Sequence, residues 1–353
     1  MELMGWDARP DPRVARLIDA NLDRAREGLR VVEDWCRFGL ERRDLVTELK
    51  DWRQRLGRLH REVYKQARST AGDTGAGMTH PAQSERCSPR QVVAANCARV
   101  QEALRVLEEY GRNVDPLLAS ESAAIRYSLY DLEVSCLSAS AGLALRDQLQ
   151  SCRLCLITTE TDQLLQVVET SLNSGVDMVQ YRSKKGHDRL RLQQALALKA
   201  LCRKAGALFI VNDRVDLALA ADADGVHLGQ DDLPTEIARS QIGPTKLLGR
   251  STHCLEEISA AHNESCDYLG LGPAFSTATK PDRHPIGLEL IREAVQQCRL
   301  PLFAIGGINN TNLATLMEAG CSRIAVIGAI MNATDPGAAT ADLLSTLSRE
   351  RSD

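Results

Sequence analysis

The sequence lacks the features that mark export, membrane insertion or binding to nucleic acid. It has no run of about 18 apolar residues, and its first residues lack the basic segment and apolar stretch of a signal peptide. The formal net charge is -4, whereas a general nucleic-acid binder needs a basic face. We therefore expect a cytoplasmic protein that acts on small molecules, with no membrane or nucleic-acid partner.

Cysteine is present, but without a pattern that indicates disulfides. The 11 cysteines have irregular spacing and are odd in number. In a chain with no export signal, this argues against a disulfide framework, so most of the thiols are expected to be small buried residues. Cys152 and Cys155 form one C-x-x-C motif without a second pair, which does not favour a metal or redox role.

Length and periodicity indicate two domains. The chain has 353 residues, of which 44% are hydrophobic and 25% charged, the ordinary values of a globular protein. From about Val14 to Leu145, apolar residues recur three and four apart, as in α-helices. After about Gln150, short apolar runs alternate with amphipathic segments. We predict an all-α domain over residues 1–147 and an α/β domain over residues 148–353.

The helical part contains an internal repeat at a spacing of 75 residues. The repeated polar positions include Asn21, Arg24, Glu27 and Glu33 in the first copy and Asn96, Arg99, Glu102 and Glu108 in the second. One interpretation is a set of solvated ion pairs on helix surfaces. The other is a pseudo-symmetric polar pocket between the copies, because polar residues on an apolar stripe need partners there.

A stretch of small residues from Ala67 to Gly77 separates the two copies and predicts a loop. It is either a flexible connector or, with Arg68 beside it, a loop whose backbone N–H groups wrap a phosphate. It is not a P-loop, because the Lys-Ser/Thr ending is absent.

The second domain has eight candidate strands, and most of them are followed by a helical pattern. They begin near Leu154, Val176, Leu208, Val226, Lys246, Tyr268, Pro301 and Arg323. Eight βα units in about 200 residues are typical of a (β/α)8 TIM barrel, which is the predicted fold class. A doubly wound sheet is the alternative, although five or six strands are more usual there.

In a (β/α)8 barrel the active site lies at the carboxyl ends of the strands, and polar residues are concentrated there. Gln180, Arg182 and Lys184 follow the second strand, and their two cations suit a multiply charged anion; a solvated basic loop is the alternative. Asp213 and one of Asp231 or Asp232 follow the third and fourth strands and could hold Mg²⁺. Each aspartate could instead cap a helix.

The later strands supply further candidates for anion binding. Arg250-Ser251-Thr252-His253 ends the fifth strand, and a long loop with Thr277, Thr279 and Lys280 follows the sixth. This loop is either a mobile lid that brings donors to phosphate or a plain exposed loop. Gly306, Gly307 and Gly328 follow the last two strands, where backbone amides of such barrels bind phosphate; tight turns are the alternative.

Taken together, these motifs resemble the thiamine-phosphate synthase family over Leu154 to Leu347. The matching segments are residues 175–184, 211–216, 223–232, 270–273 with Thr277, Thr279 and Lys280, and 304–308. The resemblance implies joining of a pyrimidine diphosphate to a thiazole phosphate, with Mg²⁺ as the cofactor.

The resemblance also implies roles for individual residues. The implied pyrimidine-diphosphate ligands are Gln180, Arg182, Lys184, Asn212 and Lys280, and the implied Mg²⁺ ligands are Asp213 and Asp232. Ser251, Thr277 and Thr279 would lie along the substrates, with Arg182, Lys184, Ser251 and Lys280 as the catalytic set. Gly307, Ile327 and Gly328 would receive the thiazole phosphate.

Two positions depart from the family pattern. Thr158-Thr159 stands where an acid is common after the first strand, and Gly328 stands where serine is common. A thiazole tautomerase is the alternative within the same fold, but it has little need for the set Asp213, Asp232, Arg182 and Lys280.

The helical part resembles the domain fused ahead of some such synthases, which implies hydroxymethylpyrimidine-phosphate kinase activity with ATP as a substrate. The resemblance rests on the repeated Asn-x-x-Arg-x-x-Glu pattern and on the loop Ser69–Asp73. A non-catalytic regulatory module is the alternative.

Overall fold

The computed structural model describes residues 10–68, 86–277 and 284–348. The chain divides into two compact units, residues 1–141 and 142–353. This division falls within one long helix, as does the domain boundary after residue 147 expected from the sequence. Over the described ranges, no helix combines the length and the apolar character that a membrane span requires.

The first unit is all-α, as predicted. Its described residues form α1 (Pro12–Phe38), α2 (Arg43–Leu59), α3 (Glu62–Lys65), α4 (Pro89–Gly111) and most of α5 (Pro116–Ser151). The two helices that begin the repeats start alike, each with proline in its first turn and a side-chain cap. Asp11 accepts a hydrogen bond from the N–H of Arg13 at 2.8 Å, and Ser88 forms a capping box with Gln91.

The internal repeat corresponds to two helical hairpins, α1–α2 and α4–α5. Glu33 on α1 is buried and hydrogen-bonded to Arg53 on α2. Its counterpart Glu108 on α4 is bonded by Arg126 on α5 at 2.9 Å. A mostly buried glutamate paired with an arginine of the second helix is therefore a shared feature of both copies.

The other repeated polar residues separate into two groups. Asn21 and Asn96 are buried, and each donates to a carbonyl one turn earlier in its own helix, Leu17 at 2.9 Å and Val92 at 2.8 Å. The arginines and glutamates at Arg24, Glu27, Arg99 and Glu102 are exposed. These four side chains do not form a closed polar pocket between the copies, because their helix face is open to solvent.

The second unit is a closed barrel of eight parallel strands, and the predicted (β/α)8 fold is confirmed. The strands are β1 (Leu154–Ile157), β2 (Met178–Tyr181), β3 (Leu208–Asn212), β4 (Gly225–Leu228), β5 (Leu247–Thr252), β6 (Tyr268–Leu271), β7 (Leu302–Ile305) and β8 (Ile324–Val326). Each begins within two residues of its predicted start.

Helices surround the barrel. They are α6 (Leu164–Asn173), α7 (Asp188–Ala205), α8 (Val215–Ala220), α9 (Thr235–Ile242), α10 (Leu255–Ala261), α11 (Leu288–Gln297), α12 (Leu313–Glu318), α13 (Gly328–Met331) and α14 (Pro336–Ser348). Strand side chains alternate between two apolar clusters. Outward residues such as Val179 and Phe209 pack with the helices, while Met178, Leu208 and Ile210 belong to a separate interior cluster.

The end of α5 closes the amino-terminal end of the barrel. Leu149 and the following Cys152 join the interior cluster. Arg146 donates to Asp267 at 2.8 Å, and Gln148 donates to the carbonyl of Gly206 at 2.7 Å. The last part of α5 is thus an integral part of the barrel unit.

Partly buried aspartates connect neighbouring strands at the same end. Asp177, Asp224 and Asp267 directly precede β2, β4 and β6, and each accepts a backbone N–H from the preceding strand or its first residues. Asp267 bonds the N–H of Leu248 at 2.8 Å and pairs with Arg239 at 2.6 Å. This carboxylate therefore joins two strands and neutralises a partly buried cation.

We predict that Asp267→Ala destabilises the barrel by about 2–4 kcal/mol, because Arg239 and Arg146 lose their carboxylate partner and the N–H of Leu248 loses its acceptor. The measurement is urea unfolding followed by circular dichroism. The exposed Asp342→Ala on α14 is the control and should change stability by less than about 0.5 kcal/mol. Equal effects of the two substitutions would contradict this role of Asp267.

Candidate active site

The inward side chains become polar toward the carboxyl ends of the strands. Leu208 and Ile210 on β3 give way to Asn212, and Met178 on β2 gives way to Gln180. Gln180 donates to the side-chain oxygen of Asn212 at 2.6 Å. The strand period of two thus places an amide pair above the apolar floor of the barrel.

A cavity of about 540 Å³ opens at this end of the barrel. The predicted site residues that line it are Gln180, Arg182, Asn212, Ser251, Thr277, Gly307, Ile327 and Gly328. Thr279 and Lys280, also predicted for the site, lie outside the described residues. The cavity therefore brings together predicted residues from five strand ends and from the loop after β6.

Asp213 and Asp232, the predicted metal ligands, face each other at the rim. Burial and the neighbouring Asp213 carboxyl raise the pKa of Asp232 above its ordinary value. Asp213 has a φ of 64°, in the left-handed region that aspartate tolerates better than most residues. Its N–H bonds the carbonyl of His227 at 2.8 Å, which fixes this turn directly after β3.

Lys184 completes this group. Its Nζ lies 2.9 Å from Asp213 Oδ2, and its side chain is 57% exposed. Lys184 lies in the loop after β2 and is not among the cavity-lining residues, unlike Gln180 and Arg182. Two facing carboxylates favour a divalent ion at this place, and Lys184 partly offsets their charge.

The carboxylate pair fits the needs of Mg²⁺. This ion is commonly held by one or two protein carboxylates, with substrate phosphates and water completing its shell. Among the described residues there is no group of three or more His, Cys, Asp or Glu side chains suited to a metal. Two carboxylates, Asp213 and Asp232, would leave positions on the ion for substrate oxygens and water.

Glycines form the opposite side of the cavity. Gly306 and Gly307 have φ values of 103° and 65°, which favour glycine. A Cβ on Gly307 would lie 2.4 Å from the carbonyl oxygen of Ser276, and a Cβ on Gly306 would lie 2.6 Å from Pro273. The loop after β6 consequently packs directly on the turn after β7.

The described start of that loop is held by the backbone of the neighbouring strand end. Ala274 and Phe275 donate to the carbonyls of Ile305 and Gly306 at 2.8 and 3.0 Å. Gly328 is the first residue of α13 and is exposed to the cavity. Gly307, Ile327 and Gly328 thus lie together on the side where a phosphate was predicted.

Sequence reasoning missed a hydrogen-bonded chain inside the barrel. His227 on β4 bonds Ser251 Oγ through Nε2 at 3.0 Å and Tyr268 Oη through Nδ1 at 3.2 Å. A Cβ on Gly249 would lie 2.4 Å from His227 Nδ1 and 2.2 Å from the Tyr268 ring, so glycine leaves room for both. Alternation along β4 was the available signal that His227 points inward.

Other residues at the site had no clear sequence signal. Asn332 lines the cavity four residues after Gly328. Thr158 is fully buried after β1 and accepts a hydrogen bond from the N–H of Arg182 at 3.0 Å. Their positions depend on how short, irregular segments fold back toward the rim.

Fold and site together define a (β/α)8 enzyme that acts on small molecules. The family model described as thiamine monophosphate synthase matches residues 154–330, and the model of the ThiD2 family matches residues 16–135. The chain belongs to the thiamine-phosphate synthase family and is a transferase. The family resemblance predicted from the motifs is thereby confirmed.

Relatives of the same kind match nearly the whole chain. A thiamine-phosphate synthase of Parasynechococcus marenigrum is 66% identical over 98% of this chain and 99% of its own length. A thiamine-phosphate synthase of Synechocystis is 50% identical over 95% of this chain and 97% of its own length. The solved thiamine phosphate pyrophosphorylase of Pyrococcus furiosus is 38% identical, with a TM-score of 0.53, and covers 58% of this chain and 98% of its own.

We predict that Asp232→Asn stabilises the Mg²⁺-free protein by at most about 1 kcal/mol at pH 7, because it removes one of two facing charges. An amide oxygen can still accept the N–H of Gly229, which Asp232 now bonds at 2.6 Å. The pKa of Asp232 is raised in the folded protein, so ionisation of Asp232 lowers stability at pH values above that pKa. Well below the ordinary carboxyl pKa near 4, Asp232 is protonated in both the folded and the unfolded protein, and the effect is absent. The gain should therefore disappear as the pH falls toward about 4.

Urea unfolding in EDTA at several pH values measures this effect. The exposed Asp231→Asn is the matched control and should leave stability nearly unchanged at each pH. A clear loss of stability in Asp232→Asn at pH 7 would show that the facing carboxylates do not repel each other.

Proposed function

We propose that the barrel joins 4-amino-2-methyl-5-hydroxymethylpyrimidine diphosphate to hydroxyethylthiazole phosphate and forms thiamine phosphate and diphosphate. The observation that carries this proposal is one cavity with two ends whose residues are suited to anions. Facing carboxylates with the adjacent cation of Lys184 stand at the rim beyond Gln180, Arg182 and Asn212, and glycine turns line the other end. Two phosphorylated substrates can therefore meet within about 540 Å³.

The first end would bind the pyrimidine diphosphate. Gln180 and Asn212 are locked to each other and present amide groups to the cavity, while Arg182 and Lys184 supply positive charge. Lys280, from the loop after β6, is assigned to the same diphosphate by family resemblance. Asp213 and Asp232 would hold Mg²⁺, which would supply positive charge next to the departing diphosphate.

The second end would bind the thiazole phosphate. The turn at Gly307 and the segment Ile327–Gly328 line the cavity, and the two glycines bring backbone atoms to it without a side chain in the way. Thr277 and Ser251 line the cavity between the two ends, and Thr279 is assigned there by resemblance. The Ser251 hydroxyl is oriented by His227 and can hydrogen-bond a substrate at the centre.

The proposed reaction needs positioning and charge stabilisation more than it needs a protein nucleophile. The electron-rich pyrimidine favours breakage of the bond between its methylene carbon and the diphosphate oxygen, whose electron pair leaves with diphosphate. The thiazole nitrogen then forms the new carbon–nitrogen bond with its lone pair. Arg182, Lys184 and Lys280 would stabilise the charge that accumulates on the leaving group.

We predict that Arg182→Ala or Lys280→Ala lowers kcat by about 100-fold or more, because each removes a charge from the leaving diphosphate. Steady-state formation of thiamine phosphate measures the loss. The exposed Arg203→Ala, at the end of α7, is the matched control and should retain full activity. Turnover near the wild-type rate in either variant, with circular dichroism unchanged, would exclude the assigned role.

We also propose that the helical unit phosphorylates the pyrimidine monophosphate with ATP and so supplies the substrate of the barrel. The match to the ThiD2 family over residues 16–135 supports this activity. The loop Ser69–Asp73, implicated by resemblance, lies outside the described residues. Just before it, Arg68 donates to Asp19 at 2.7 Å and also bonds Asp23, so its guanidinium is held by two carboxylates.

We predict that the full-length protein, given ATP, Mg²⁺ and the pyrimidine monophosphate without thiazole phosphate, accumulates the pyrimidine diphosphate. The Arg182→Ala variant should accumulate it equally, because this substitution affects only the barrel. Chromatographic detection of the diphosphate tests both statements. Absence of this product from a protein that still condenses supplied diphosphate would favour a regulatory role for the helical unit.

A further inference from the structure

The loop between β2 and α7 carries two cations assigned to the diphosphate, yet it has no regular structure of its own. It runs from Arg182 to His187, and Lys184 lies in its exposed part. Backbone N–H groups in such a segment need partners, and without them the position of the loop would vary. Accurate placement of Arg182 and Lys184 therefore depends on contacts from neighbouring elements.

The segment after β1 supplies these contacts. Glu160 Oε1 accepts the backbone N–H of Lys184 at 2.5 Å and that of Lys185 at 3.0 Å. Thr158 Oγ1 accepts the N–H of Arg182 at 3.0 Å. On the other side of the loop, Arg191 of α7 donates to the carbonyl of Lys184 at 3.3 Å. The backbone of the loop is thus held from two directions.

The charge of Glu160 is maintained by the same contacts. Burial raises the pKa of its carboxyl, but the backbone N–H groups of Lys184 and Lys185 and the nearby charge of Arg182 outweigh burial and lower it. An ionised carboxylate accepts stronger hydrogen bonds than a neutral oxygen. Glu160 can therefore hold the loop at neutral pH.

A carboxylate in this place has an electrostatic disadvantage. A negative charge near a diphosphate site repels the substrate, so removing it would by itself strengthen binding. Its geometry, with one oxygen bonding two consecutive N–H groups, is that of an anchor for the loop backbone. The chain lacks an acid at Thr158 and Thr159, and Glu160 places one just beyond them.

We propose that Glu160 is a positioning residue that holds the backbone of residues 184 and 185 so that Arg182 and Lys184 are in place for the pyrimidine diphosphate. The inference rests on the diphosphate-binding role proposed above for this end of the cavity. Glu160 should therefore affect binding of the pyrimidine diphosphate only, because the thiazole-phosphate end is built from other strands.

The test compares Glu160→Ala with Glu160→Gln in the full-length protein. The alanine variant loses the anchor and should raise KM for the pyrimidine diphosphate about tenfold, with KM for the thiazole phosphate unchanged. The glutamine variant keeps an acceptor oxygen without the charge, so its KM should lie nearer to the wild-type value. Calorimetric binding of inorganic diphosphate in Mg²⁺ should weaken in the same order.

The exposed Glu318→Ala, at the end of α12, is the control and should match the wild-type protein. Unchanged or tighter diphosphate binding in Glu160→Ala would overturn the proposal, since electrostatic repulsion would then be the dominant effect. An equal rise in both KM values would overturn it as well. Failure of the wild-type protein to form thiamine phosphate would instead refute the proposed condensation, which separates the two results.

Discussion

The repulsion between Asp213 and Asp232 is the interaction on which the rest of the site depends. Two carboxylates that face each other are unfavourable unless a cation lies nearby, and burial of Asp232 increases the cost. Lys184 partly offsets this repulsion from a loop that Glu160 holds in place. The rim thus brings two carboxylates close together, and a divalent cation that arrives with substrate phosphate groups would relieve their repulsion.

The barrel makes this concentration of charge tolerable. Closure of eight parallel strands leaves no open sheet edge, and the apolar lower interior lets the upper interior be polar. Within that upper interior the polar groups hold one another, as Gln180 does with Asn212 and His227 with Ser251. Such contacts fix side-chain orientation before a substrate arrives, so less ordering remains to be done on binding. The stable apolar lower half of the barrel therefore supports the preorganised polar groups of its upper half.

The sequence was sufficient for the features that follow from regular periods. Strand starts could be located because apolar runs alternate with amphipathic helices. Asp213 could be paired with Asp231 or Asp232 because they follow adjacent parallel strands, and the family resemblance selected Asp232. What could not be predicted depends on irregular segments and on neighbours distant in the chain. Glu160 reaches the loop of Lys184 from another strand end, and exposure of Arg24 is set by the packing of whole helices around α1.

Helix α5 joins the helical unit and the barrel unit in one polypeptide. Its last turns belong to the barrel unit: Arg146 bonds Asp267, and Leu149 fills the amino-terminal end of the barrel interior. A polypeptide divided just before β1 would lack the last turns of α5, which close the amino-terminal end of the barrel. A polypeptide divided at the unit boundary would interrupt a helix of 36 residues. Separation of the two halves during evolution would therefore require a replacement for this segment, which makes the fusion easier to keep than to lose.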